Sequence, residues 1–280
     1  MKIFEYAKKR NIKSKDVVAK VHEFGFTNVK NHLSLVPLKI LDKLDEIPFK
    51  EAKIVKKPKT LVFITMEYAP FVSSEVGDMV KNKLKYSSLY GNKNIVILPK
   101  YNINKEKLSI FMDIDININH QNKIGKVFKA TFEGTDYFFV DSEFYFNRDK
   151  IAGFYDDCER FAFFTKAAIK IIKEFDFEID IINIHDWPLG LFPLLHKSSI
   201  NNSTQIEFTV YGVTYQGIYG LEVLTDIFEL HQKYYQIVEY AGSVNLLKAG
   251  IVTADKIDIS KVVLEDFKNS YLKKYVYDNM

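Results

Sequence analysis

The sequence predicts an α/β fold, and three observations predict it. Short, nearly continuous apolar runs rich in β-formers recur along the chain, longer segments of helical period separate them, and a central block switches to period-two alternation. Continuous apolar strands need helices on both faces, so the expected architecture is a Rossmann-like open, mainly parallel sheet with an added β-hairpin region. A small helical module is expected to precede it. With 280 residues, 47% of them hydrophobic and 15% aromatic, the chain has material for one large core or two unequal ones.

Residues 1–47 read as the small helical module. Ser14 is placed to cap the helix KDVVAKVHEF, whose Val17, Val18, Val21 and Phe24 share a face, and Gly25 ends it. A second short helix is expected through LVPLKILDKL. Residues 48–59, PFKEAKIVKKPK, combine prolines and five lysines with weak periodicity and read as a linker. The remaining segment, 60–280, is the expected Rossmann-like domain.

In that domain TLVFITM at 60–66 and NIVILP at 94–99 are strands, joined by a helix that starts near Gly77 and ends before Gly91. FMDIDININ, GKVFKATF and TDYFFVD supply hairpins at the edge of the main sheet. Alternation resumes with the helix ERFAFFTKAAIKIIKEF, the strand IDIINIH, a short helix through LGLFPLLHK and the strand QIEFTVYGV. A helix including VNLLKAGIVTA, the strand DKIDIS and a terminal helix close the order.

Charge is unevenly spread. Residues 1–60 carry 15 Lys or Arg against 7 acids, and the rest carries 24 against 29, so a basic module precedes a mildly acidic domain. That asymmetry can steer an anionic partner or merely solvate the module. No apolar run approaches the roughly 20 residues a bilayer span needs, and the N-terminus does not read as a secretory signal. One cysteine, Cys158, forms no intrachain disulfide. A cytoplasmic protein with no membrane association is the expectation.

Ligands of open α/β sheets bind beyond the carboxyl ends of the strands, and three segments should arrive there. Glu67 to Asp78 leaves the first strand, Asp141 to Phe146 leaves YFFV, and His185-Asp186-Trp187 leaves IDIINI. His185 can exchange a hydrogen bond with a sugar, and the aromatic Trp187 can stack on one; equally, such a histidine caps the next helix or bonds a carbonyl. Asp141 can grip sugar hydroxyls or cap a turn. Asp156, Asp157 and Glu159 can cap the long helix, with Arg160 pairing them. Cys158 lacks an evident base, and no metal-ligand spacing or cofactor motif is present. The loop YAPFVSSEVGD poses the sharpest question. Phosphates are held by free amides at a helix N-terminus, opened by glycines and neutralised by a cation. Here Ser73, Ser74, Glu75, Val76, Gly77 and Asp78 offer one glycine, no cation and an added carboxylate.

With these segments read, the chain resembles the N-terminal domain of the bacterial glycogen synthase and plant starch synthase family. The resemblance rests on FITMEYAPF, VGD, ILPKY, YFFVDSEFYFNRD, GFYDDCERFAFFTKAAIKII, DIINIHDWPLGLFPLL, TYQGIYGLEVL and VNLLKAGIVTADKI, spread over most of 60–258. It implies two Rossmann-like domains around a cleft in which glucose passes from ADP-glucose or a related donor to an α-1,4-glucan. It also implies that His185 contacts the transferred sugar, that Asp141 lies on the acceptor side, and that Trp187, Tyr215, Gln216 and Gly217 line the cleft. The departures are specific. Ser73 stands where the family has its donor-loop lysine, Ser74 and Glu75 stand where it has threonine and paired glycines, and Tyr211-Gly212 replace histidine and asparagine. At 280 residues the expectation is that a second Rossmann domain is absent. Residues 1–47 resemble the small N-terminal module of bacterial translation initiation factor two.

The resulting expectation is a noncatalytic relative that binds an α-glucan or a protein of glycogen metabolism, such as a full-length synthase. Half of a split glucosyltransferase and an RNA- or ribosome-associated accessory protein are the alternatives, although no base-reading signature supports nucleic-acid binding.

Overall fold

The computed structural model of the chain describes residues 2–10, 12–31, 33–47, 49, 57–101, 103, 108–200 and 203–277. The chain divides into two compact units, Met1–Lys57 and Pro58–Met280. Most of the linker expected at 48–59 lies outside the described residues.

The first unit holds α1 (Ile3–Lys9), α2 (Ser14–Glu23), a 3₁₀ turn at Leu38–Ile40 and α3 (Leu41–Glu46). Its own small core is built on Ile3, Tyr6, Val17, Val21, Ile40 and Leu44. The Tyr6 hydroxyl donates to Asp45 at 2.8 Å and accepts from Arg10 at 2.9 Å, which ties α1 to α3. Ser14 begins α2 instead of capping it. The reason is that the Lys13 carbonyl already accepts from Val17 N–H, so the cap falls one residue earlier.

The second unit runs β1 (Thr60–Ile64), α4 (Glu75–Leu89), β2 (Lys93–Pro99), β3 (Ser109–Ile118), β4 (Gln121–Phe132), β5 (Thr135–Asp141), α5 (Glu143–Phe146) and α6 (Asp157–Lys173). It continues with β6 (Ile181–His185), α7 (Phe192–Ser199), β7 (Gln205–Val210), β8 (Ile218–Tyr219), α8 (Glu222–Asp226), α9 (Tyr235–Val238), β9 (Glu239–Tyr240) and β10 (Ser243–Asn245). Then come α10 (Leu246–Thr253), β11 (Lys256–Ile259), α11 (Leu264–Asn269) and α12 (Lys273–Tyr277).

Eight strands form one sheet in the order β11-β7-β6-β1-β2-β5-β4-β3. From β11 to β5 every pairing is parallel, and β4 and β3 add an antiparallel meander at one edge. The period-two block therefore lies where the sequence puts it. In β1 and β2 the buried residues alternate between two cores. Val62, Ile64, Ile95 and Ile97 belong to the core that includes residues of α6 and α7, while Leu61, Phe63, Val96 and Leu98 meet Val80 and Leu84 of α4. Burial on both faces explains why these strands read as unbroken apolar runs.

A second, three-stranded antiparallel sheet, β8-β10-β9, falls within 218–245, where no strand is expected from the sequence. Its strands are two or three residues long, too short for any period to register. Among the described residues, no helix is long and apolar enough to cross a membrane.

Candidate functional site

The strand order reverses beside β1: the chain steps from β1 to β2 and β5 on one side and later to β6, β7 and β11 on the other. Beyond the carboxyl ends of β1 and β6 such a reversal opens a crevice. The loop 65–74 and the segment His185-Asp186-Trp187 both emerge there. Asp141 ends β5, three strand spacings from β6, or about 14 Å across the sheet.

At the β1 side, Ser74 caps α4, and its Oγ accepts the Gly77 N–H at 2.9 Å. One of the amides that a phosphate would use is thereby occupied by the protein itself. Gly77 also lies under its own loop: its carbonyl accepts from Ala69 N–H at 3.2 Å, and a Cβ on it would stand 2.9 Å from the Val72 carbonyl oxygen. The glycine serves loop packing. Ser73, Glu75 and Asp78 are exposed, and Val76 is half-buried against the α4-side core. Glu75 and Asp78 place two carboxylates in the first turn, which suits the helix dipole and repels an anion. Behind them, burial pushes the Glu67 carboxyl above its ordinary range, opposed by a hydrogen bond from Ser74.

At the β6 side, strand alternation decides where His185 goes. Ile182 and Ile184 enter the α6 core, so Asn183 and His185 take the α4 side. The His185 ring is sandwiched, stacked on Phe63 at a centroid distance of 5.9 Å and on Tyr211 at 5.8 Å. Its Nδ1 lies 2.9 Å from the Tyr211 hydroxyl, and its Nε2 is buried with no hydrogen-bond partner. Only 1% of the residue is exposed. Burial, reinforced by the nearby Lys83 ammonium, holds its pKa well below the usual histidine value, so the ring is neutral. Lys83 reaches from α4 to Thr209 Oγ1 at 2.8 Å and to Asp258 at 2.9 Å.

Asp186 follows with φ 68° and ψ 172°, a backbone region that a residue with a side chain enters at a cost of about 1–3 kcal/mol. Its N–H bonds the Thr209 carbonyl at 3.0 Å, and its carboxylate accepts the Tyr211 N–H at 3.4 Å. Burial lifts its pKa to about 7, against the pull of the Trp187 and Tyr211 amides. Tyr211 is thus held by the His185 ring and by the carboxylate beside it. Gly212 is half-buried, and a Cβ there would meet nothing within 4 Å.

The other residues of the expected cleft divide into two groups. Trp187 and Gly217 are packed together: Phe161 meets the indole edge-on at 5.3 Å, and Gly217, at φ +64°, would place a Cβ 2.7 Å from it. Gln216 is fully engaged inside the protein, donating to the Val213 carbonyl and accepting from Asn245 and from the Tyr271 hydroxyl, each at 2.7 Å. Tyr215 alone of this run stands in solvent, 76% exposed. Asp141 lies 3.5 Å from the buried Lys100 ammonium.

The acids ahead of α6 build a corner. Arg148 binds both oxygens of Asp156 at 2.7 and 2.6 Å, and the fully buried Arg160 binds Asp157 at 2.6 Å. Asp157 also accepts the Gly153 and Phe154 amides. Burial, with Glu159 adding to it, pushes the Cys158 thiol up to about 12, which leaves it unreactive at neutral pH. Among the described residues, no group of three or more His, Cys, Asp or Glu is placed to hold a metal ion. The sequence alone did not reveal the Tyr211–His185 contact. Its only signal was the departure at 211, since residues 26 apart meet only once β6 and β7 are paired.

Residues 60–272 match the starch synthase catalytic domain family. The chain is 31% identical over 209 residues to a glycogen synthase of Bacillus cereus (strain Q1), covering 70% of this chain and 44% of that protein. It is 33% identical over 226 residues to a glycogen synthase of Clostridioides difficile (strain 630), covering 75% and 47%. The chain therefore spans just under half the length of these relatives. Its fold matches the catalytic domain of starch synthase IV from Arabidopsis thaliana bound to ADP and acarbose, with a TM-score of 0.69 at 22% identity over 79% of this chain and 49% of that one. On the extent of these matches, the chain belongs to the starch synthase catalytic domain family, as a glycogen/starch-synthase-like glycosyltransferase domain.

Proposed function

We propose that this domain holds α-glucan without transferring glucose to it. The closure of His185 carries the reading. A side chain that is to touch a sugar must present a polar atom to it, and this ring has one nitrogen on Tyr211 and the other buried. The donor loop supports the same conclusion, because Ser74 occupies a phosphate-type amide while Glu75 and Asp78 supply the wrong charge. Glucan retention is supported by aromatic surface along the carboxyl-end loops. Phe144, Tyr155 and Tyr215 are 60%, 94% and 76% exposed, and flat rings of this kind stack on sugar faces.

Two measurements on the purified chain test the two halves of the reading. Incubation with radiolabelled ADP-glucose and a glycogen primer should give no incorporation above background, whereas sedimentation with glycogen should carry the protein into the pellet. Robust incorporation by the isolated chain would overturn the noncatalytic part. Protein that stays in the supernatant at saturating glycogen would overturn the glucan-binding part.

A further inference from the structure

Within the second unit a pocket of about 690 Å³ opens among the β3–β4 turn, the last turns of α6 and α7, and the segment 228–234. None of its lining residues belongs to the crevice at β1 and β6. Lys166, Lys170 and Lys173 reach it from α6, where spacings of four and three place them on one face. Lys233 reaches it from the 3₁₀ turn Gln232–Tyr234.

Their charges are not all met. Lys166 is neutralised by Glu229 at 2.6 Å and also donates to the Asn117 carbonyl at 2.8 Å. Lys170 donates to the Asp115 carbonyl, a neutral acceptor that leaves its charge unmatched. Among the described residues no carboxylate pairs with Lys173 or Lys233, and the Lys233 nitrogen rests 4.8 Å from the centre of the Tyr234 ring. The remaining acid of the pocket is Asp115, whose carboxylate accepts from the Asn122 amide at 3.3 Å. Three lysines thus face one carboxylate. The negative C-terminal end of the α6 dipole accounts for cations in its last turn, but it does not call for Lys233, which comes from another segment.

The rest of the pocket indicates what such an anion carries. Ser198 and Ser199 both donate their hydroxyl hydrogens to the Leu195 carbonyl, at 2.9 and 2.6 Å, so towards a ligand their oxygens can only accept. Acceptors of this kind suit the hydroxyl groups of a ligand, and the half-buried Tyr234 ring suits the face of a sugar. Ile169, Leu195 and Phe228 give the pocket an apolar floor. Its volume falls in the range of roughly 300–1,000 Å³ that small organic ligands occupy, and exceeds what a bare phosphate ion fills. We infer that this pocket binds a sugar phosphate, with Lys170, Lys173 and Lys233 on the phosphate and the serine oxygens on the sugar hydroxyls. A phosphate monoester carries about two negative charges at neutral pH, which offsets the surplus of cations. The site is independent of the glucan surface proposed above.

Isothermal titration calorimetry of the full chain at about 50 mM salt tests this, with glucose 1-phosphate, inorganic phosphate and glucose as probes. Glucose 1-phosphate should bind saturably and about tenfold more tightly than inorganic phosphate, and glucose alone should give no measurable heat. Lys173→Gln and Lys233→Gln should each weaken glucose 1-phosphate about tenfold, the worth of one charged hydrogen bond. Lys81→Gln removes an exposed cation of α4 outside the pocket, and should leave the affinity unchanged. Saturating glycogen should not displace the ligand. No saturable binding at millimolar glucose 1-phosphate, equal losses in all three variants, or displacement by glycogen would overturn the site. Inorganic phosphate that binds as tightly as the ester would overturn the choice of a sugar phosphate.

Discussion

Removing the Tyr211 hydroxyl probes the closed site most directly. In Tyr211→Phe the ring still covers His185, but Nδ1 loses the partner 2.9 Å away while Nε2 already has none. A buried polar atom stripped of its partner costs about 1–3 kcal/mol. At roughly 2–4 °C per kcal/mol for a domain of this size, the melting temperature should fall by about 2–12 °C. Tyr211→Ala should go further and uncover the ring. Diethyl pyrocarbonate labelling, mapped by mass spectrometry, reads that directly, with the exposed His120 and His231 as internal standards. In the parent chain His185 should remain unlabelled while the standards react; in Tyr211→Ala it should react at a comparable rate. Labelling of His185 in the folded parent chain as fast as His231 would refute the claim that Tyr211 seals it, and a Tyr211→Phe variant with an unchanged melting temperature would refute the energetic reasoning.

Four further perturbations have definite outcomes. Asp186 has its folded-state pKa raised to about 7, so its contribution to stability is full below about pH 4 and is lost as pH rises through 7. Asp186→Asn should therefore be more stable than the parent at pH 8, by about 1–4 kcal/mol, with the difference vanishing near pH 4 in urea titrations at each pH. His185 runs the other way: with its pKa depressed, its contribution is intact above about pH 6.5 and is lost on acidification, which should sharpen acid unfolding of the parent. Gly217→Ala forces a methyl group into the sole tryptophan, Trp187, at a positive φ, and should both lower the melting temperature and shift the indole emission. Ser74→Ala should cost about 0.5–2 kcal/mol through loss of the α4 cap, measured by chemical denaturation.

The parallel sheet was legible because its strands are buried on both faces, and the hairpin edge because β3 alternates as DIDINI against one core. That residues 73–78 carry one glycine and no cation is a matter of composition and needs no fold to read. What the sequence concealed were pair relations. Gln216 sits in a motif that the family resemblance assigns to the cleft, yet its amide is spent on Asn245, Tyr271 and Val213, two of which lie far along the chain. His185 reads as available from its place at a strand end. Its burial follows from which face of β6 it occupies and from the ring on the neighbouring strand, neither of which a single segment encodes. The short strands β8, β9 and β10 were invisible because two or three residues carry no period.

Lys83 gives the site a mechanical property. From the middle of α4 it grips Thr209 on β7 and Asp258 on β11, so the helix begun by the Ser74 cap is pinned to the strand that ends beside Tyr211. Loop and covering ring are then two ends of one braced frame. Any outward movement of α4 would have to release two strands at once, and a lysine placed at position 73 would leave that brace untouched.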